Sequence, residues 1–305
     1  MTAPTRDSPA SPASPARDSP GPALRARGVT LGYDRRIVVD GLDLSIERGT
    51  VTTLIGANGS GKSTVLSALG RLLAPVAGAV ELDGQPLRSL PGRAVARRLA
   101  VLPQKPLTPS ATTVRDLVSR GRHPHQSLLH PWTPADAAAI DDALDATGLR
   151  DLAGRDVGSL SGGQLQRAWL ALVLAQQADV LLLDEPTTFL DLAHQLEILR
   201  LVRSINRRRG TTVVMVLHDL TLAARYSDRL VVVGAGRVLA DGTPWEVLTP
   251  ELLREAFDLD AVVLTDPTSG APLVVPRDPD LHPAADLAVD PAGEPGLADA
   301  GGATR

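Results

Sequence analysis

The stretch Gly56–Thr64, reading GANGSGKST, restricts the fold of this chain more than any other. It fits the pattern G-x-x-x-x-G-K-[ST], with Gly56, Gly61, Lys62 and Ser63 at the fixed positions. An apolar, strand-like run, Val51–Ile55, precedes it, and a helical run, Thr64–Leu73, follows. A glycine-rich turn between a strand and a helix lets successive backbone N–H groups point into one concavity, which favours an anion. The helix adds its unpaired N-terminal donors and the positive end of its dipole. Gly56, Asn58, Gly59, Ser60, Gly61 and Thr64 are therefore candidate phosphate contacts. Lys62 supplies a compact charge for β- and γ-phosphates, and Ser63 a hydroxyl for Mg²⁺.

A plain glycine turn is the alternative, and composition weighs against it. The chain has 31 basic residues, of which only Lys62 and Lys105 are lysine. A sequence so biased to arginine has nevertheless placed a lysine in this loop, where a guanidinium fork is too bulky. The formal charge of −4 argues against a broad basic surface for nucleic acid. With no cysteine there are no disulfides, thiolate metal sites or thiol catalysis. No apolar run approaches the roughly 18–20 residues that span a bilayer, and the N-terminus lacks the apolar stretch of a secretory signal. A soluble cytoplasmic protein, or one held to a membrane by a partner, is expected.

Residues 1–22 are rich in Ser, Pro and Ala, and residues 277–305 in Pro, Ala, Gly and Asp. Both compositions predict disordered tails around one ordered domain over 23–276. Short strands are expected at Leu24–Leu31, Ile37–Asp40, Leu42–Ile46, Gly78–Asp83 and Arg98–Leu102. Tyr33 lies in the first connection, where it either covers a core edge or offers a platform for a purine. From about 105 to 165 the chain turns helical, with helix starts at Thr113-x-x-Asp116 and at Thr133-Pro134 and a stop at Gly148. His123, His125 and His130 fall there; without a carboxylate or cysteine at useful spacing they read as part of a rigid loop rather than a metal site.

Leu160-Ser161-Gly162-Gly163-Gln164 opens an apolar-rich helix running to about Gln177. Ser161 and Gln164 have the spacing of a capping box. Two glycines in a first turn cost helix propensity, and binding of an outside polyanion explains them better than capping does. Val180–Leu183 reads as a buried parallel strand ending in Asp184-Glu185, where α/β sheets place their ligands. Adjacent residues leave a strand in opposite directions, so Asp184 is expected to reach the metal and Glu185 a water. Thr212–Leu217 is a second buried strand, with His218 on the same sheet edge. A hairpin is expected across Gly234–Gly236. Beyond it come two short helical pieces to about Phe257 and a terminal hairpin over 261–275. Together the loop, Ser63, Asp184 and Glu185 make a nucleoside triphosphatase.

The order of these motifs resembles the ATP-binding subunits of ABC transporters, and the resemblance covers about residues 24–275. It implies an α/β, ABC-type P-loop ATPase with a RecA-like core, an antiparallel β subdomain and an inserted α-helical subdomain. Tyr33 then matches the adenine-stacking aromatic, and Gln104 the glutamine that contacts Mg²⁺ and water. Leu160–Gln164 matches the LSGGQ signature. Asp184 and Glu185 match the magnesium ligand and catalytic glutamate, Leu190-Asp191 the D-loop and His218 the switch histidine. Phe189 departs from the small residue usual before the D-loop. The cofactors implied are ATP and Mg²⁺.

The resemblance further implies a head-to-tail homodimer, each nucleotide closed in by Ser161 and Gly163 of the other copy. It implies membrane-spanning permease subunits, a substrate-binding protein acting indirectly, no nucleic-acid partner, and a position on the cytoplasmic face of the cell membrane. Gly121–Gln126, Ala168-Trp169, Leu217–Leu220 and Pro272–Pro276 are similar to the ATPases of ferric-siderophore importers, with cobalamin or haem importers as near alternatives. A DNA-repair or chromosome ATPase of the same class would carry a long coiled coil between Lys62 and Ser161, for which there is no room. A soluble assembly ATPase stays open.

Overall fold

The computed structural model describes residues 21–34, 36–104, 106, 111–126, 132–188 and 190–277. The expected tails, except for a few residues at their inner ends, and Lys105, His130 and Phe189 lie outside the described residues.

In chain order the strands are β1 (Leu24–Tyr33), β2 (Arg36–Ile46), β3 (Val51–Ile55), β4 (Ala77–Leu82), β5 (Gln85–Pro86), β6 (Leu99–Leu102), β7 (Val180–Asp184), β8 (Thr212–Val216), β9 (Arg229–Gly234), β10 (Arg237–Gly242), β11 (Ala261–Thr265) and β12 (Pro272–Pro276). The helices are α1 (Lys62–Leu69), α2 (Gly92–Arg98), α3 (Val114–Ser119), α4 (Pro134–Ala146), α5 (Gly162–Ala175), α6 (Leu192–Arg209), α7 (Leu220–Tyr226), α8 (Pro244–Val247) and α9 (Pro250–Phe257).

A six-stranded sheet in the order β10-β9-β3-β8-β7-β6 forms the centre. Its strands from β9 to β6 are parallel, and β10 closes one edge as an antiparallel hairpin partner. Side chains alternate between two apolar layers, as strand geometry requires. Leu181, Leu183, Val213, Met215, Leu230 and Val232 join the helices of one face. Val180, Leu182, Val214, Val216, Val231 and Val233 join α1 and the antiparallel sheet β2-β1-β4-β5 on the other. Burial on both faces explains why the interiors of these strands are mostly apolar, with Thr52 and Thr53 of β3 the exceptions.

Several boundaries differ from expectation. The two runs within 36–46 are one strand whose register against β1 shifts three times, so bulges rather than a turn interrupt it. The helix after the phosphate loop stops at Leu69 rather than Leu73, where the Gly70 amide caps back onto Leu66. α2 was not anticipated: Gly92–Arg98 has no side-chain cap, and its arginines hide the apolar spacing. Ala23 is fully buried, and the Gly21 carbonyl accepts from Arg48 Nε at 3.0 Å, so both residues are tied to the domain. α5 packs against α3 and α4.

The capping expectations agree with the structure. Thr133 and Ser161 both close reciprocal capping boxes, Thr113 accepts from the Asp116 amide, and Gly148 is left-handed at φ 64°. Ala235 and Gly236 both have positive φ, the backbone of a tight hairpin turn.

Candidate functional site

Four neighbouring parallel strands deliver the site. β3 ends at the glycine loop, β8 just before His218, β7 at Asp184 and β6 just before Gln104, so all four groups meet at one carboxyl edge. A strand order that brings chain-distant segments side by side is what the buried apolar runs alone do not specify.

The loop itself is glycine-dependent at two points. Gly56 has φ 149°, and a Cβ there would lie 2.1 Å from the Val233 carbonyl oxygen. Gly61 has φ 104°, and a Cβ there would lie 3.0 Å from Val39 Cγ2 of β2. No other residue makes this turn without moving β9 or β2. Lys62 is buried, and its Nζ donates to the carbonyls of Gly56 and Ala57, each at 2.9 Å. Burial lowers its pKa, against the pull of Glu185 and Asp184, which raise it. Ser60 Oγ is buried with no protein partner, which suits it to an oxygen-rich ligand in the loop. Asn58, Gly59 and Ser60 also line an open hollow facing Glu255 and Ala256 of α9.

Beside the loop, Ser63 Oγ donates to Asp184 Oδ1 at 2.9 Å. Burial and the neighbouring Glu185 charge raise the Asp184 pKa, with Ser63, His218 and Lys62 opposing. A hydroxyl next to a carboxylate whose ionised form is under strain is an oxygen donor set suited to a hard cation such as Mg²⁺.

Glu185 sits at φ 50°, a left-handed backbone that turns it out of the strand away from Asp184. His218 Nε2 lies 2.7 Å from its Oε1. Gln104 Nε2 donates to Oε2 at 2.6 Å, and Thr188 Oγ1 donates to the same oxygen at 2.9 Å. Burial alone would push the Glu185 pKa up. The bonds from His218, Gln104 and Thr188 outweigh it and hold the carboxyl below its ordinary value.

Other expected residues stand apart. Tyr33 is 52% exposed at the end of β1 and lines an open hollow with Asp34, Arg36 and Val38. Ser161 and Gln164 bond each other across the first turn of α5, and nothing lies within 4 Å of a Cβ built on Gly162. Asp191 caps α6, accepting from the His194 amide at 2.9 Å and contacting its Nδ1 at 2.8 Å. Among the described residues, neither Ser161–Gln164 nor Asp191 bonds directly to Lys62, Ser63, Asp184 or Glu185.

Three side chains at the site escaped the sequence reading. Thr188 bonds Glu185, Gln166 Nε2 donates to the Pro186 carbonyl at 2.8 Å, and the His194 ring lies against Gly163. The available signal was spacing, since Thr188 is three residues beyond Glu185 and His194 three beyond Asp191.

The histidine-rich loop has a structural explanation. Buried Arg122 pairs with buried Asp136 at 2.8 Å and donates to the Ala175 carbonyl and Gln177 Oε1. His125 Nε2 is 2.8 Å from the Gln176 carbonyl oxygen, and Arg97 Nε donates to the Pro124 carbonyl. The loop is thus a clasp joining α2, α4 and the end of α5.

The family profile described as ABC transporter matches residues 39–188. The achromobactin transport ATP-binding protein of Dickeya dadantii is 49% identical over 83% of this chain and 94% of its own length. The ferric enterobactin transport ATP-binding protein of Escherichia coli is 46% identical over 83% and 93%. The cobalamin import ATP-binding protein of Halobacterium salinarum is 45% identical over 84% of this chain and 64% of its own length. Among solved structures, one described as a metal-chelate type ABC transporter in an inward-facing conformation superposes with a TM-score of 0.73, at 28% identity over 86% of this chain and 100% of that one. The dimeric cassette MJ0796 superposes with a TM-score of 0.65, at 26% identity over 72% and 98%.

Proposed function

The chain belongs to the ABC transporter family as an ATP-binding, ATP-hydrolysing subunit, and from that premise we propose that it drives import of a ferric siderophore. The observation that carries the substrate class is the run of relatives named for siderophore transport, 45–49% identical to this chain and covered over 93–95% of their own length. A cobalamin importer subunit at 45% identity supports vitamin uptake as the second reading.

In the proposed chemistry Tyr33 stacks the adenine, and the amides of residues 56–64 with Lys62 hold the phosphates. Ser63 and Asp184 would hold Mg²⁺, with Gln104 as a further oxygen donor; the ion supplies charge neutralisation at the phosphates. Glu185, ionised and aimed out of the strand, accepts a proton from the attacking water while the water oxygen joins the γ-phosphorus and the bond from that phosphorus to the β–γ bridging oxygen breaks, releasing ADP. His218 orients Glu185 and donates to the γ-phosphate.

Ser161–Gln164 and Asp191 bond nothing in the subunit's own cluster, yet they expose an anion-seeking helix start and a carboxylate. This supports a head-to-tail dimer in which each copy closes the other's nucleotide. No described helix is long and apolar enough to cross a membrane. Separate permease subunits at the cytoplasmic membrane face are the proposed partners, with the α2–α4 clasp region beside their docking surface.

Cells lacking the chain should lose accumulation of iron-labelled siderophore, and the native chain but not Glu185→Gln should restore it. Unchanged iron-chelate uptake with loss of labelled cobalamin uptake would select the second reading.

A further inference from the structure

Glu185 has three donors, and they are not alike. Gln104 and His218 arrive from the ends of other strands, and both carry proposed duties toward the nucleotide. Thr188 belongs to the same turn as the carboxylate that it holds. The Thr188 amide donates to the Glu185 carbonyl at 3.2 Å, closing a four-residue turn with Pro186 at its second position. Pro186 presets the φ of that position, and the left-handed backbone of Glu185 starts the turn. The same turn returns the Thr188 hydroxyl to Glu185 Oε2 at 2.9 Å. Gln166 of α5 anchors the Pro186 carbonyl from outside at 2.8 Å, so the turn is fixed to the signature helix as well as to β7.

We propose that Thr188 is a positioning residue for ATP hydrolysis: its hydroxyl fixes the rotamer of the Glu185 carboxylate when Gln104 and His218 are engaged with nucleotide and water. The inference rests on Glu185 being the base. A free glutamate has several rotamers of similar energy, and only some point a carboxylate oxygen at the attacking water. A hydroxyl donor on Oε2 removes the wasted orientations and, once His218 has turned from Oε1 to the γ-phosphate, leaves Oε1 to accept the proton. Among the described residues no hydrogen bond joins Thr188 to the phosphate loop, and both of its bonds go to Glu185, so its loss should change turnover without changing nucleotide affinity.

The test compares Thr188→Val, nearly equal in shape, with Thr188→Ser, which keeps the hydroxyl, in the purified full-length chain with MgATP. Thr188→Val should lower kcat about tenfold, as expected for one lost hydrogen bond to a charged group. KM and the affinity for a fluorescent ATP analogue should stay within about twofold, the mark of an interaction used only in the transition state. Thr188→Ser should keep most of the native kcat. A Thr188→Val kcat near the native value, or a Ser variant as slow as the Val variant, overturns the proposal. Glu185→Gln is run in parallel. If it hydrolyses ATP at the native rate, the base assignment and this inference both fall. If it is inactive while Thr188→Val is unaffected, only the inference falls.

Discussion

Lys62 carries a charge that burial disfavours and that the two carboxylates beyond the loop favour. Its neighbours explain why so compact a side chain is used. Nζ sits between the carbonyls of Gly56 and Ala57, and the loop is pinned by β9 against Gly56 and by β2 against Gly61. Lys62→Ala should weaken ATP binding at least about a hundredfold, on the order of 3 kcal/mol for a lost desolvated charge contact. Calorimetric titration with ATP measures it, and unaltered affinity would remove Lys62 from the site. The type and place of Lys62, Ser63, Asp184 and Glu185 were legible in the sequence because each sits at a fixed step from a strand end. Thr188 was not, because only a left-handed Glu185 turns a threonine three residues later back onto the carboxylate.

At the scale of elements, Asp228 shows how the strand bearing the loop is held. Its Oδ2 accepts from the Val51 amide at 2.8 Å and from Arg203 Nη1 at 2.7 Å, and its Oδ1 from Arg203 Nη2 at 2.6 Å. The start of β3, the middle of α6 and the entry to β9 are thereby tied together. Burial pushes the Asp228 pKa up, but the Arg203 and Val51 bonds prevail and hold it below its ordinary value. A depressed carboxyl stabilises the fold above the unfolded pKa, about 4, and loses that contribution as pH falls through the folded value. Asp228→Asn should therefore lower the Tm at neutral pH, by the equivalent of about 1–3 kcal/mol. The difference from the native protein should shrink below about pH 4. A gap in Tm that stays constant on acidification would contradict this. Cap-defined helices such as α4 and α5 were readable from their first residues. α2 was not, because tertiary packing of Val95, rather than a cap, holds it.

At the scale of the molecule, the proposed shared site gives the loop, Asp184 and Glu185 to the subunit's own nucleotide, and Ser161–Gln164 and Asp191 to that of a second copy. Glu185→Gln, which keeps the shape of the site but cannot take the proton, should bind ATP and accumulate as a dimer. Size-exclusion chromatography with light scattering checks this, and a variant monomeric at saturating ATP would sink the shared-site reading. The sequence by itself determined the phosphate loop, the signature, the carboxylate pair and the buried strands, because each is a local matter of spacing, propensity or apolar run. Tertiary structure alone decided the order β3-β8-β7-β6, and with it which distant residues share an edge. It also decided that, among the described residues, no hydrogen bond joins the loop Gly56–Thr64 to the signature Ser161–Gln164 within one subunit. The physical reason is that strand pairing and helix packing join surfaces far separated along the chain, and an apolar strand carries no mark of its neighbour.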